Sequence, residues 1–460
     1  MRFSILCIIF VACCLQLTHS QSVILDSTEL SVQVVAENLD TPWEILWGPD
    51  DHIWTTERRG VVSRIDTATG NVKVLLDISE IVDEGSENGM LGMVLHPNFL
   101  HPDSQFVYIV YTYYGSAPTE RLVRYTYESD TLVDELVLLD NIPSGYYHIG
   151  SRVIILPDRT ILMSTGDVGS ASYALDTAKF HGKFLRINLD GSVPDDNPIP
   201  GSYVWSLGHR NPQGLVQAPN GIIYSSEHGP SNDDEINIIR ELGNYGWPEV
   251  EGFCDLTAEQ AYCTANNAIE PLFAWTPTIA TCGLDYYGHD AIPEWKNSLL
   301  LASLKADDLR VLELNEAGDA IISEEIFFDN EYGRLRDVCV SPNGDIFFAT
   351  SNQDGRGNNG FPVGTDDRII KVSNKQYSVP TGIDEYNVES KLRFYPNPVE
   401  NTIYLDHESV QSYKIFDLSS RLVLEGHFRH TVDVSGLQQG IYILELHAEN
   451  TILKGKFLKK

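Results

Sequence analysis

One phrase returns six times along this chain: a proline, a polar turn, an apolar or aromatic stretch of strand length, then serine, threonine or an acid. It reads GPDDHIWTTE from Gly48, LPDRTILMSTGD from Leu156, APNGIIYSSEHG from Ala218 and SPNGDIFFATSN from Ser341. Looser copies are HPDSQFVYIVYTYYG from His101 and IPEWKNSLLLASLK from Ile292. Proline and the Asp, Asn and Gly beside it set up chain reversal, and the β-branched and aromatic residues that follow favour extended backbone. A second strand pattern comes after several copies, at residues 62–66, 184–188 and 309–313. One such unit cannot bury both faces of its own small sheet. Six at blade-like intervals bury them against one another, as in a radial repeat. The pattern predicts an all-β fold, a six-bladed β-propeller of four-stranded antiparallel blades over residues 21–376. A sandwich would need shorter and more even strand spacing.

The two ends read differently. Arg2, the mostly apolar residues 5–17 and Thr18-His19-Ser20 before Gln21 make a signal-peptide pattern over residues 1–20. The apolar run is too short for a spanning helix, so no transmembrane span is expected, and the residues before Cys13 and Cys14 fit a lipidation site poorly. Residues 377–390 (YSVPTGIDEYNVES) lack a strand pattern and read as a linker. From 391 to 460 alternating strands return, as in TIYL from Thr402 and IYILEL from Ile441, and predict a small C-terminal β-sandwich with a basic tail of Lys454, Lys456, Lys459 and Lys460.

Export bears on the cysteines. Four remain after residue 20, and in an oxidising compartment the close pair Cys254 and Cys263 can staple one loop. Cys339 lies in an apolar strand pattern and reads as a buried thiol. No metal-type cysteine spacing is present, so zinc is not expected. A formal charge of −33 argues against nucleic acid or an anionic membrane as partner, because phosphates would be repelled.

Chemistry-bearing residues crowd around one short strand, in WSLGHRNPQGLVQAPNGIIYSSEHGPSNDDEIN at residues 205–237. Loops on a rigid scaffold are where such residues act, although satisfied polar turns would look the same. The segments TPWEILWGPD, ENGMLGMVLHP, LGHRNPQGL, SEHGPSNDDEIN, GNYGWP, SLLLASLK and GRLRDV, in this order, resemble the soluble PQQ-dependent sugar dehydrogenases and their aldose dehydrogenase relatives. At the other end FYPNPVENTIYL, GLQQGIYILEL and KGKFLKK resemble the C-terminal sorting domain of the type IX secretion system. That second resemblance implies the secretion machinery as partner and a secreted or surface-attached product. A generic β-sandwich binding module is its alternative.

The first resemblance implies PQQ and Ca²⁺ as cofactors. PQQ carries three carboxylates, which call for cations, and arginine's planar fork suits them. The resemblance gives Arg210, Lys305, Arg334 and Arg336, with Asn211 and Thr278, as contacts to PQQ. It gives the carbonyls of Gly229 and Pro230 as ligands of the cofactor's Ca²⁺, and Glu235 and Tyr245 as holders of a separate structural Ca²⁺. His148 falls at the place of the general base that takes a proton from the sugar's anomeric hydroxyl, and Arg210 at that of the electrostatic stabiliser. Three positions depart from the family pattern: Glu87 and His228 stand where glutamines are expected around the cofactor, and Tyr147 where an acid precedes the base. The implied activity is oxidation of an aldose to its lactone, with electrons passed to an acceptor the sequence does not name. The alternatives are a metal-dependent, lactonase-like propeller hydrolase and a propeller that binds glycan or protein without turnover.

Overall fold

The computed structural model describes residues 21–377, 394–405, 410–417, 422–427, 431–448 and 451–460. The expected signal peptide, residues 1–20, and all of the expected linker, residues 377–390, except Tyr377 lie outside them. Two compact units meet in sequence between Tyr377 and Ser378. Among the described residues no helix is long and apolar enough to cross a membrane.

The first unit is a six-bladed antiparallel propeller. Blade 1 is Pro42–Trp47, His52–Glu57, Val61–Asp66 and Val72–Asp77, and blade 2 is Met90–Leu95, Phe106–Tyr114, Pro118–Glu128 and Thr131–Pro143. Blade 3 is Gly150–Ile155, Thr160–Thr165, Lys183–Asn188 and Val204–Leu207, and blade 4 is Pro212–Gln217, Ile223–Glu227, Asp234–Ile238 and Phe273–Trp275. Blade 5 is Thr281–Tyr287, Ser298–Ser303, Leu309–Leu314 and Ile321–Phe327. Blade 6 takes Leu335–Val340, Ile346–Thr350 and Ile369–Asn374 from one end of the unit and Glu29–Ala36 from the other, and Gln21–Ile24 adds a fifth strand beside it. That shared blade closes the ring. Each of the six repeated phrases is the turn into the second strand of a blade, followed by that strand.

The first strand of every blade borders the central channel and neighbours the first strand of the next blade, from blade 6 back to blade 1. All six of these strands lose register against their second strand within their first few residues, at Pro42/Glu44, Met90/Met93, Gly150/Val153, Pro212/Gly214, Thr281/Leu284 and Leu335/Asp337. A bulge leaves a residue unpaired and re-aims its side chain, and such irregularities gather beside active sites. Here they free Trp43, Leu91, Gln213 and Arg336 to face the channel. Close approach there requires glycine: a Cβ on Gly283 would sit 1.8 Å from Asp337 Oδ1, and one on Gly92 would sit 2.1 Å from the Ser151 carbonyl oxygen.

Apolar faces meet between blades, as where Tyr108, Val110 and Leu122 of blade 2 pack on Val153, Ile161 and Met163 of blade 3. Each such side chain contributes roughly 1.5–3 kcal/mol through burial. The channel itself is plugged by charge. Arg152 of blade 3 reaches Glu44 of blade 1 at 2.8 Å and Asp337 of blade 6 at 3.0 Å, and stacks over Trp43 at 4.2 Å. Burial pushes the Glu44 carboxyl up to about 8 and that of Asp337 upward as well.

The second unit is a β-sandwich. One sheet is Phe394–Tyr395, Thr402–Leu405 and Thr431–Asp433; the other is Leu422–His427, Val410–Asp417, Gly440–Ala448 and Thr451–Lys459. Ile403 and Val432 of the first share a core with Ile415, Leu444 and Phe457 of the second.

Candidate active site

Antiparallel pairing decides where the site lies. The start of each first strand and the end of each second strand point to the same face of the propeller. His148, Arg210, Asn211, Thr278 and Arg334 stand just before first strands, and Arg336 stands within one. Arg58, Asp167, His228, Lys305 and Asp354 stand just after second strands. The serine, threonine or acid that ends each repeated phrase therefore borders this face.

His148 is fixed on every polar group but one. Its Nδ1 lies 2.7 Å from Asp167 Oδ1, its amide donates to Glu87 Oε2 at 2.8 Å, and its carbonyl accepts from the Val168 amide at 3.2 Å. A carboxylate only accepts, so Nδ1 carries a proton, and in the neutral ring Nε2 is the nitrogen that presents a lone pair. Asp167 is almost wholly buried, with 2 % of its side chain exposed. Burial resists its charge, but hydrogen bonds from His148, the Gly169 amide and Trp247 Nε1 (2.8 Å) outweigh it and hold the carboxyl below its ordinary range. Tyr147, at the departure before the base, sets its ring edge against His148 at 4.7 Å.

Beside Ile149 and Gly150, which follow the base, a pocket is bordered by Trp43, Glu87, Gln213, His228 and the arginines Arg58, Arg336 and Arg356. Arg336 donates to Gln213 Oε1 at 3.3 Å, while its buried Nε has no partner. Arg334 sits one layer back, because its guanidinium is committed to Asp354 Oδ2 (3.1 and 2.8 Å) and the Leu304 carbonyl (2.7 Å). Asp354 resists charge through burial, yet the two arginines hold its carboxyl low. Lys305 is exposed, and its ammonium donates to Thr278 Oγ1 at 2.8 Å. Asn211 is buried and takes the Gly150 amide at 3.1 Å and Gln213 Nε2 at 3.0 Å on its carbonyl oxygen.

A second, smaller pocket shares His228 with the first and is bordered by Arg210, Glu227, Gly229, Pro230, Glu235, Tyr245 and Trp247. Arg210 stacks 5.4 Å over Trp247, donates to the His228 carbonyl at 3.1 Å and keeps a buried Nε without a partner. Burial lowers the pKa of both Arg210 and His228, and His228 donates Nε2–H to the Thr281 carbonyl at 2.7 Å. Asp234 shapes the loop by accepting the Gly229 amide on one oxygen and the Ile279 and Ala280 amides on the other. Among the described residues no hydrogen bond reaches the carbonyl of Gly229 or Pro230. Burial, with Glu227 nearby, raises the Glu235 carboxyl to about 8. The Tyr245 phenol donates to Ile238 and accepts from Arg240, so what it offers an ion is its main-chain carbonyl.

Residues 39–359 match the glucose/sorbosone dehydrogenase family. The chain belongs to that family. It is 32% identical over 428 residues to quinoprotein glucose dehydrogenase B of Acinetobacter calcoaceticus, covering 74% of this chain and 89% of the relative. Against the aldose sugar dehydrogenase of Escherichia coli it is 29% identical over 345 residues, 71% of this chain and 91% of that one. The PQQ-bound aldose sugar dehydrogenase of Streptomyces coelicolor superposes with a TM-score of 0.66 at 30% identity, covering 75% and 99%. Residues 393–460 match the secretion system C-terminal sorting domain, which marks this sugar dehydrogenase for secretion and attachment at the cell surface.

In this family member the sequence reading gave no role to Asp167, Trp247, Asp354 or Arg58, although Trp247 lies in the quoted string GNYGWP. Asp167 ends one of the six phrases, so the repeat itself marked it. Asp354 and Trp247 come from loops whose distance in sequence hides their contact. The paired cysteines do form a disulfide, joining Cys254 in the preceding loop to Cys263 within the helix Thr257–Asn266, and Cys339 is a buried free thiol.

Proposed function

We propose that this chain is an exported quinoprotein that oxidises an aldose at its anomeric carbon to the lactone, using PQQ with Ca²⁺. The observation that carries this reading is a carboxylate-fixed histidine, His148 with Asp167, opening beside a cavity rich in arginine. The residues fit PQQ. Arg336 and Arg210 each keep a buried guanidinium nitrogen without a partner, and the exposed Lys305 ammonium has donors to spare. Arg336, Lys305, Arg210, Asn211 and Thr278 would hold the carboxylates and carbonyls, with Glu87 and His228 bordering the ring and Arg334 acting through Asp354. The carbonyls of Gly229 and Pro230 fit a hard, oxygen-seeking cation. Glu235 and the Tyr245 carbonyl fit a second one, which would relieve the crowding of Glu235 by Glu227.

When bound, PQQ supplies an ortho-quinone that accepts hydride, and Ca²⁺ polarises it. The chain supplies the rest. His148 Nε2 takes the proton of the anomeric hydroxyl, and Asp167 stabilises the imidazolium through Nδ1. Trp247 and Gly169 keep Asp167 oriented. Arg210 places a fixed positive charge where negative charge builds. A lactonase-like hydrolase would need a ring of side-chain carboxylate and asparagine ligands and would not explain the arginine and lysine cluster. The arginine-lined cavity also lacks a purpose in that reading.

The test is reconstitution of the purified chain with PQQ and CaCl₂, followed by aldose-dependent reduction of an artificial dye. Turnover that requires PQQ is the expected result. A folded chain that binds no PQQ with calcium present overturns the reading, and PQQ binding without turnover across aldoses favours the glycan-binding alternative.

A further inference from the structure

Glu87 was a reason for doubt in the sequence, since a carboxylate stands where the family pattern has an amide. The structure gives it work. The backbone of His148 sits at φ 59°, in the left-handed region that is uncommon for residues other than glycine, although His, like Asn and Asp, is enriched there. Glu87 grips this segment from two sides. Its amide donates to the Tyr146 carbonyl at 3.2 Å, and its Oε2 accepts the His148 amide at 2.8 Å. Its other oxygen, Oε1, lies 3.3 Å from Arg356 Nη1, 269 residues away in the loop after the second strand of blade 6. The Arg356 amide in turn donates to Asp354, the carboxylate that pairs with Arg334 and Arg336.

We propose that Glu87 is a positioning residue that sets the backbone of the base His148 and ties it, through Arg356, to the arginine cluster across the channel mouth. The proposal rests on the dehydrogenase reading. Burial works against a charge on Glu87, but the His148 amide, His228 and Arg356 together keep its carboxyl below the ordinary range, so it is ionised when it accepts from that amide. A charged acceptor makes a stronger bond to a backbone N–H than a neutral one.

Three full-length proteins decide the matter: the parent, Glu87→Gln and Glu87→Leu. Glutamine keeps an acceptor of the same length for the His148 amide, and leucine removes it while filling similar space. Hydrogen exchange in the absence of PQQ reads the clamp independently of turnover. Protection of the His148 amide should be lost in the leucine variant and largely kept in the glutamine variant; equal protection in all three overturns the proposal. In turnover, kcat should fall about tenfold or more in the leucine variant and recover in the glutamine variant. The KM for the aldose and the affinity for PQQ should stay within about threefold. A rise in KM with kcat unchanged would make Glu87 a substrate contact, and a loss of PQQ affinity would make it a cofactor contact; either overturns the positioning role. A parent that never turns over counts against the dehydrogenase reading, and the exchange result then decides the clamp alone.

Discussion

Asp167→Asn is the sharpest perturbation of the site, because among the described residues the carboxylate has three donors. His148 Nδ1 at 2.7 Å and the Gly169 amide at 2.8 Å share Oδ1, while Trp247 Nε1 occupies Oδ2 at 2.8 Å. An asparagine has one acceptor oxygen. If that oxygen faces His148 and Gly169, its NH₂ meets the indole N–H donor to donor; if it flips, two donors are lost instead of one. The first arrangement costs less and keeps a neutral hydrogen bond to the base. A hydrogen bond to a charged group is worth about 1.5–3 kcal/mol and a neutral one about 0.5–1.5, so support for the imidazolium falls by roughly 1–2 kcal/mol. That corresponds to roughly a 5- to 30-fold loss in kcat. The stranded Trp247 donor costs a further ~1–3 kcal/mol of folding stability. The native aspartate has its pKa lowered on folding, so the stability it adds is present above the unfolded value near about 4 and is lost as pH falls through the folded value. The assay is aldose-dependent dye reduction at saturating PQQ and CaCl₂, with a PQQ titration as control. A variant with kcat within twofold of the parent and unchanged PQQ affinity would refute the dyad.

His148→Ala should bind PQQ within threefold of the parent yet lose most turnover, and sugar-dependent dye reduction at parental rates would remove the base assignment. Arg336→Met should weaken PQQ binding by about 1.5–3 kcal/mol, seen as a tenfold or greater shift in titration midpoint. Arg334→Met should do less, because all three of its bonds go to protein groups, and equal losses in the two variants would contradict that ranking. Glu120 is buried with one oxygen unpartnered, and burial pushes its carboxyl up to about 8 against the Ser151 hydrogen bond. The folded state therefore keeps a proton that the unfolded state sheds, and stability falls by up to ~1.4 kcal/mol per pH unit between about 5 and 8. Glu120→Gln should remove that one-proton slope, and denaturation midpoints across this range that fall as steeply as the parent's would contradict it. Replacing Cys254 and Cys263 together by serine opens a loop with a sequence separation of 9. It should cost ~2.5 kcal/mol in thermal melts.

How much of this the sequence carried depends on how local each interaction is. The propeller was legible because every blade repeats one turn and one strand, and local propensity agrees with the fold at each copy. The closure was not: Glu29–Ala36 pairs with Ile369–Asn374, and nothing local to either strand announces a partner more than three hundred residues away. The site divides in the same way. Arg210, Arg336 and Glu227 stood in recognisable strings and Asp167 closed a repeated phrase, but that Asp167 fixes His148 and that Asp354 pairs with Arg334 and Arg336 are contacts between different loops that no local string shows.

The register breaks explain why such distant residues meet at one face. A first strand in perfect register would send every second side chain between the blades, and none of the six could turn one toward the channel axis at its mouth. A bulge at the same point in each blade frees one residue for that direction, and the second strand, running antiparallel, ends on the same face. The fold thus offers two positions per blade around one mouth, and this chain fills them with Trp43 and Arg58, Gln213 and His228, Arg336 and Asp354. Substitutions at those positions should change the ligand without changing the propeller. Substitutions at Gly92 and Gly283, where a Cβ would collide with the neighbouring strand, should disturb the propeller first and the ligand only as a consequence.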